Sequence, residues 1–124
     1  VSRNLEDLDA RFRPLAEQLL EECRRAGISL VVIDTRRTLA EHQRNLARGV
    51  SWIRHSLHLD GLAIDVCPET LLREKFWAPA APEWQVAGEI GERLGMRWGG
   101  RWKQRDMAHF EYVAPGAGRE KRRA

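Results

Sequence analysis

Apolar side chains at Leu5, Leu8, Phe12, Leu15, Leu19 and Cys23 recur every three or four positions, which lays a single stripe along a helix predicted over 5–23 and ended by Gly27. The next stretch, 28–33, is apolar on both sides of the two-residue alternation and rich in β-branched residues. That pattern predicts a strand covered on both faces and central in its sheet. Thr38 and Glu41 then stand at capping-box spacing, so a second helix is predicted over 39–48, with Gly49 just past its end. Arg36 and Arg37 consequently fall on a strand-to-helix turn, a rigid support for functional side chains.

After a loop over 51–60, Gly61 permits a sharp bend into a strand predicted over 62–67. Leu62, Ile64 and Val66 share one face of it and Ala63 and Asp65 the other, so a carboxylate points where a small alanine leaves room. An irregular connection follows over 68–82, with a short helical turn at 71–76. A third helix over 83–94 opens at Pro82 and closes at Gly95. Trp98-Gly99-Gly100-Arg101-Trp102 reads as a glycine-bent loop, and 109–113 as a last strand with His109 and Glu111 on one face. Helices interleaved with strands through short connections predict an α+β fold, because a regular parallel sheet needs more strand–helix–strand units than 124 residues supply. The length fits a single domain over 1–124, without room for a separate binding module.

Composition narrows the class further. The chain is 43% hydrophobic and 31% charged, and no apolar run nears the roughly 18 residues of a membrane-spanning helix. Integral membrane proteins and wholly disordered chains are thereby excluded. Cys23 and Cys67 make at most one bridge, too few for a disulfide-built miniprotein, and both read as free thiols. The net charge is +3, with Arg and Glu alternating as in Glu21-Glu22-Cys23-Arg24-Arg25, whereas a nucleic-acid binder gathers its charge on one face. The exception is the basic tail 119–124, which follows Pro115-Gly116-Ala117-Gly118. It reads as a solvated, disordered end, or else as a point of attraction for an anionic polymer.

Candidate chemistry gathers around two histidines. His58 stands before the Gly61 bend and Asp65 on the strand after it, so the pair can offer one nitrogen and one oxygen to a metal. Zinc takes such a mixture, and an open zinc site needs three protein ligands and a water. His109 is the best candidate for the third ligand. Asp106, three residues earlier, would reach the water as a general base without binding the metal. The plainer reading of His58 and Asp65 is a hydrogen-bonded surface pair, and spacing does not separate the two. His42, on an exposed helix face, and His55, in a loop, read as solvated. An arginine at a helix start opposes the helix dipole, so Arg37 either clamps a substrate carboxylate or is one more residue of a basic stretch. Trp98 and Trp102 either pack in the core or wall a substrate groove.

Four stretches taken together go further. Thr35-Arg36-Arg37-Thr38-Leu39-Ala40-Glu41-His42-Gln43 with Gly49-Val50-Ser51, Ser56-x-His58-x-x-Gly61-x-Ala63-x-Asp65, Trp98-Gly99-Gly100-x-Trp102, and Asp106-Met107-Ala108-His109-Phe110-Glu111 occur in that order. They resemble the zinc D-Ala-D-Ala carboxypeptidase and L-Ala-D-Glu peptidase family over about 28–112, most nearly its phage endolysins that cut L-alanyl-D-glutamate bonds. The resemblance implies a hedgehog/DD-peptidase-like fold, a small antiparallel sheet with flanking helices whose cleft holds one zinc ion. It implies His58, Asp65 and His109 as zinc ligands and Asp106 as catalytic base. It also implies Arg37 as the arginine that contacts substrate and steadies the developing oxyanion, and Ser56 as a substrate or supporting contact. With Trp98 and Trp102 as groove walls, the substrate-binding set is Arg37, Ser56, Trp98 and Trp102. Two positions depart from the family's habit: Arg101 stands where relatives often have aspartate, and Arg36 where many have a small or aromatic residue, which leaves Arg36 as an alternative to Arg37.

The function expected from the resemblance is zinc-dependent hydrolysis of the L-Ala-D-Glu bond of peptidoglycan stem peptides, by a phage or prophage endolysin in host lysis. Such an enzyme is expected to be made in the bacterial cytoplasm without a signal peptide and to act on the cell wall. It is expected to be monomeric, with no nucleic-acid partner and no stable membrane association. The alternatives are a D,D-carboxypeptidase trimming D-Ala-D-Ala stems and a zinc-binding domain without catalysis.

Overall fold

Pro14 sets where the first helix starts. Proline lacks the amide hydrogen and crowds the preceding turn, so a helix tolerates it only near its beginning. Helix α1 accordingly spans Arg13–Arg25 with Pro14 in its first turn. The stripe predicted to run from Leu5 is split. Leu5–Asp7 is a 3-10 turn capped by the Asn4 side chain, and Leu8 and Phe12 enter the core from the connecting stretch. Ala16, Leu19 and Cys23 form the buried face of α1.

The computed structural model describes residues 2–35, 43–44, 47, 57–74 and 78–114, and of 58 and 59 the backbone. The predicted capping box of Thr38 and Glu41, Gly49, His42, His55 and the tail 119–124 lie outside the described residues. Gln43, Arg44 and Ala47, within the predicted second helix, are helical.

Strands β1 (Leu30–Asp34), β2 (Ala63–Pro68), β3 (Arg97–Trp98) and β4 (His109–Glu111) form an antiparallel sheet in the order β1-β2-β4-β3. β1, predicted as central, is therefore an edge strand among the described residues. The amino-terminal segment meets it at its far end: the Thr35 N–H donates to the Ser2 carbonyl at 2.8 Å, and the Arg3 guanidinium to the Ile33 carbonyl at 3.3 Å. Leu30, Val31, Val32 and Ile33 are half-buried, so the expected cover on both faces is only partial. Helix α2 (Glu69–Glu74) starts directly from β2, two residues ahead of the predicted turn. Helix α3 (Pro82–Arg93) opens on its proline as expected.

α1 and α3 pack together against the face of the sheet that carries Ile64, Val66 and Phe110. Two glycines make α3 flat there. A methyl group on Gly88 would stand 2.3 Å from the Trp98 ring, and one on Gly91 2.6 Å from the Phe110 ring. These two rings stack, with centroids 6.4 Å apart. Gly88→Ala should therefore lower stability by about 1–3 kcal/mol through overpacking, outweighing the gain of about 1 kcal/mol in helix propensity. A denaturant midpoint at or above wild type would show instead that Trp98 yields.

Both cysteines are free, as predicted, and both are buried. Burial pushes the Cys23 thiol up to about 11 and raises that of Cys67, so neither is a thiolate nucleophile at neutral pH. No helix among the described residues is long and apolar enough to cross a membrane.

Candidate active site

The sheet register assembles the site. Asp65 on β2 lies directly across from His109 on β4, with Ile64 across from Phe110 and Ala63 across from Glu111. On the other side of β4, Arg97 pairs with Glu111 and Trp98 with Phe110. Side chains alternate along a strand, so Ile64, Phe110 and Trp98 go to the helices, while Asp65, His109, Glu111 and Arg97 share the opposite face. The small Ala63 leaves room there for the carboxylate of Glu111, only 1% exposed.

His109 sits between two carboxylates. Its Nδ1 is 3.2 Å from Asp65 Oδ1, and its Nε2 is 2.7 Å from Glu111 Oε1. Arg97 Nη1 in turn donates to Glu111 Oε2 at 3.3 Å. Desolvation of the buried ring opposes its charge, but the hydrogen bonds to Asp65 and Glu111 prevail and raise the imidazole from 6.5 to about 10. In the metal-free protein the two carboxylates therefore favour the protonated ring.

In the metal-free protein this linkage has a definite sign. A raised folded pKa stabilises fully below pH 6.5, and the contribution is lost as the pH climbs through about 10. The melting temperature of chelator-treated protein should therefore fall across that window, and more steeply than for zinc-loaded protein if His109 holds the metal. Parallel curves for the two forms would contradict this.

Asp106 completes the cluster from the turn leading into β4. It is exposed; its N–H donates to the Gly99 carbonyl at 3.0 Å, and its own carbonyl accepts the His109 N–H at 3.2 Å. Gly99 permits this approach, since a methyl group on it would stand 2.5 Å from the Asp106 carbonyl oxygen and 3.2 Å from His109 Cβ. Ligand atoms of Asp65, Asp106 and His109 all lie within 4.8 Å of one another. One imidazole nitrogen converging with carboxylate oxygens is a donor set that suits zinc.

Of the other residues expected here, His58 has its backbone in the 3-10 turn Leu57–Asp60, which leads through Gly61 into β2. Its side chain lies outside the described residues, as do Arg36, Arg37 and Ser56. Gly61 ties that turn to the amino-terminal segment. Its φ of +70° is left-handed, and a Cβ would meet the Asp9 amide nitrogen at 2.8 Å.

The two tryptophans separate. Trp98 is 2% exposed and points to the helix side of the sheet, so it has no face to offer a substrate; its place among the substrate contacts is corrected to the core. There it supports the site indirectly, donating its indole N–H to the Met107 carbonyl at 2.8 Å. Trp102 is half-buried beside the candidate ligands, its ring centroid 5.0 Å from that of His109. Arg101 turns to α3, donating from Nε and Nη2 to Glu92 at 3.0 and 3.1 Å and lying over the Trp98 ring.

Glu111 and Arg97 were assigned no role from sequence, although period-two alternation places Glu111 on the face of His109. A buried carboxylate two positions from a candidate ligand is the signal that would have marked it.

A family profile described as D-alanyl-D-alanine carboxypeptidase matches residues 50–112, just over half of the chain. That stretch includes His58, Asp65, Asp106 and His109. Among solved structures, the fold is similar to the L-Ala D-Glu endopeptidase ChiX of Serratia marcescens, with a TM-score of 0.64 and 23% identity over 89% of this chain and 84% of that one. It is also similar to a mutant of the vancomycin resistance D,D-pentapeptidase VanY in complex with Zn(II), with a TM-score of 0.63 and 19% identity over 86% and 73% of the two chains. No curated protein matches in sequence. With the motifs, the antiparallel sheet and the profile in agreement, the chain belongs to the D-alanyl-D-alanine carboxypeptidase family of zinc metallopeptidases.

Proposed function

We propose that this peptidase hydrolyses the L-Ala-D-Glu bond of peptidoglycan stem peptides, as a phage or prophage endolysin made in the bacterial cytoplasm and acting on the cell wall. The observation that carries the chemistry is the convergence of Asp65, Asp106 and His109 within 4.8 Å on one face of the sheet. His58, Asp65 and His109 are the residues that would hold zinc. The chemistry a bound zinc ion supplies is polarisation of the scissile carbonyl and a water that loses its proton near neutral pH. Asp106, exposed beside these residues, would be the base that accepts a proton from the attacking water and returns it to the leaving amine. Arg37 is assigned to the charge developing on the carbonyl oxygen. Ser56 is a substrate contact, and Trp102 walls the cleft next to His109.

The bond preference rests on the resemblance to L-alanyl-D-glutamate endolysins and on the likeness to ChiX. Stem peptides carry free carboxylates, which suits an arginine clamp and a net charge of +3. The D,D-carboxypeptidase reading draws on the profile's description and on the likeness to VanY. Purified protein incubated with purified sacculi, with and without chelator, followed by mass analysis, separates the readings. Zinc-dependent release of peptides beginning at D-Glu is the expected result. Loss of terminal D-Ala would replace it with the carboxypeptidase, and no product from zinc-loaded protein would point to a binding domain without catalysis.

A further inference from the structure

We propose that Glu111, held by Arg97, is a positioning residue that fixes which nitrogen of His109 faces the metal. This rests on the reading of His109 as a zinc ligand. An imidazole has two nitrogens, and only the one without a proton can ligate. Glu111 Oε1 lies 2.7 Å from Nε2, on the side of the ring away from Asp65. A carboxylate there accepts the Nε2–H and leaves the Nδ1 lone pair directed at the Asp65 side, where the other donor atoms converge. The carboxylate is buried, and its second oxygen accepts from Arg97, itself the cross-strand neighbour of Glu111. A buried anion with a fixed cationic partner does not swing away from its ring. The charge also makes the imidazole a better donor to a cation, the usual effect of a carboxylate behind a metal-bound histidine.

The test is zinc affinity, measured by chelator competition, in wild type, Glu111→Gln, Arg97→Met and Arg97→Lys. The far-UV circular dichroism and melting of each metal-free variant are recorded alongside. Glu111→Gln keeps the shape but loses the charge, and should bind zinc about 10- to 100-fold more weakly. Arg97→Met should weaken binding in the same direction by a smaller factor, and Arg97→Lys should recover part of it. Nitrogen-15 correlation spectra of the zinc-loaded wild type should show the proton of His109 on Nε2. Wild-type protein that binds no zinc would overturn the metal reading itself. Tight zinc binding by wild type together with affinity within twofold in folded Glu111→Gln, or a His109 proton on Nδ1, would overturn this inference alone. If Glu111→Gln does not fold, the Arg97 pair and the spectrum decide.

Discussion

Asp106→Ala is expected to keep its zinc and to lose turnover about 10²- to 10⁴-fold, the range that removal of a general base commonly produces. The geometry makes this a sharp comparison. Asp106 lies within ligand distance of the cluster, yet it is exposed and reaches it from a turn, whereas Asp65 and His109 are placed by paired strands. A base needs a carboxylate oxygen within hydrogen-bond reach of the attacking water, which an exposed residue beside the ligands can offer. Metal content of the purified variant and its rate on stem peptide are the two readouts. Undiminished turnover would remove Asp106 as base, and loss of zinc with retained fold would make it a ligand.

His109→Ala should instead lose both metal and activity. It deletes one donor and leaves Asp65 and the buried Glu111 without the ring between them. Removing one partner of a buried charge pair costs about 3–5 kcal/mol, so the variant should also melt at a lower temperature in the metal-free state. Arg97, still paired with Glu111, should hold the loss towards the low end of that range. Stoichiometric zinc in folded His109→Ala protein would dismiss the site as drawn.

Much of the site was legible because its chemistry lies in local motifs. The alternation after Gly61 put Asp65 opposite the apolar face, and the same rule put His109 and Glu111 together. Pairing between strands was not legible, since nothing local states that Asp65 meets His109 or that Arg97 meets Glu111. The role of Glu111 was lost with it. Trp98 was ambiguous for a related reason: two glycines beside an aromatic suit either a groove or a tight packing contact, and only the position of α3 decides. The apolar run of β1 read as an interior strand because a half-buried apolar edge strand looks the same in sequence. The stripe from Leu5 was read through Pro14, although proline confines a helix start to its own vicinity.

The direct apposition of Asp65 and His109 across β2 and β4 has a mechanical consequence. A cation gripped by both strands would act as a rivet through the middle of the sheet, closing it against slippage by one residue. Amide hydrogens of those two strands should then exchange with solvent more slowly when zinc is present, while those of α1 change little.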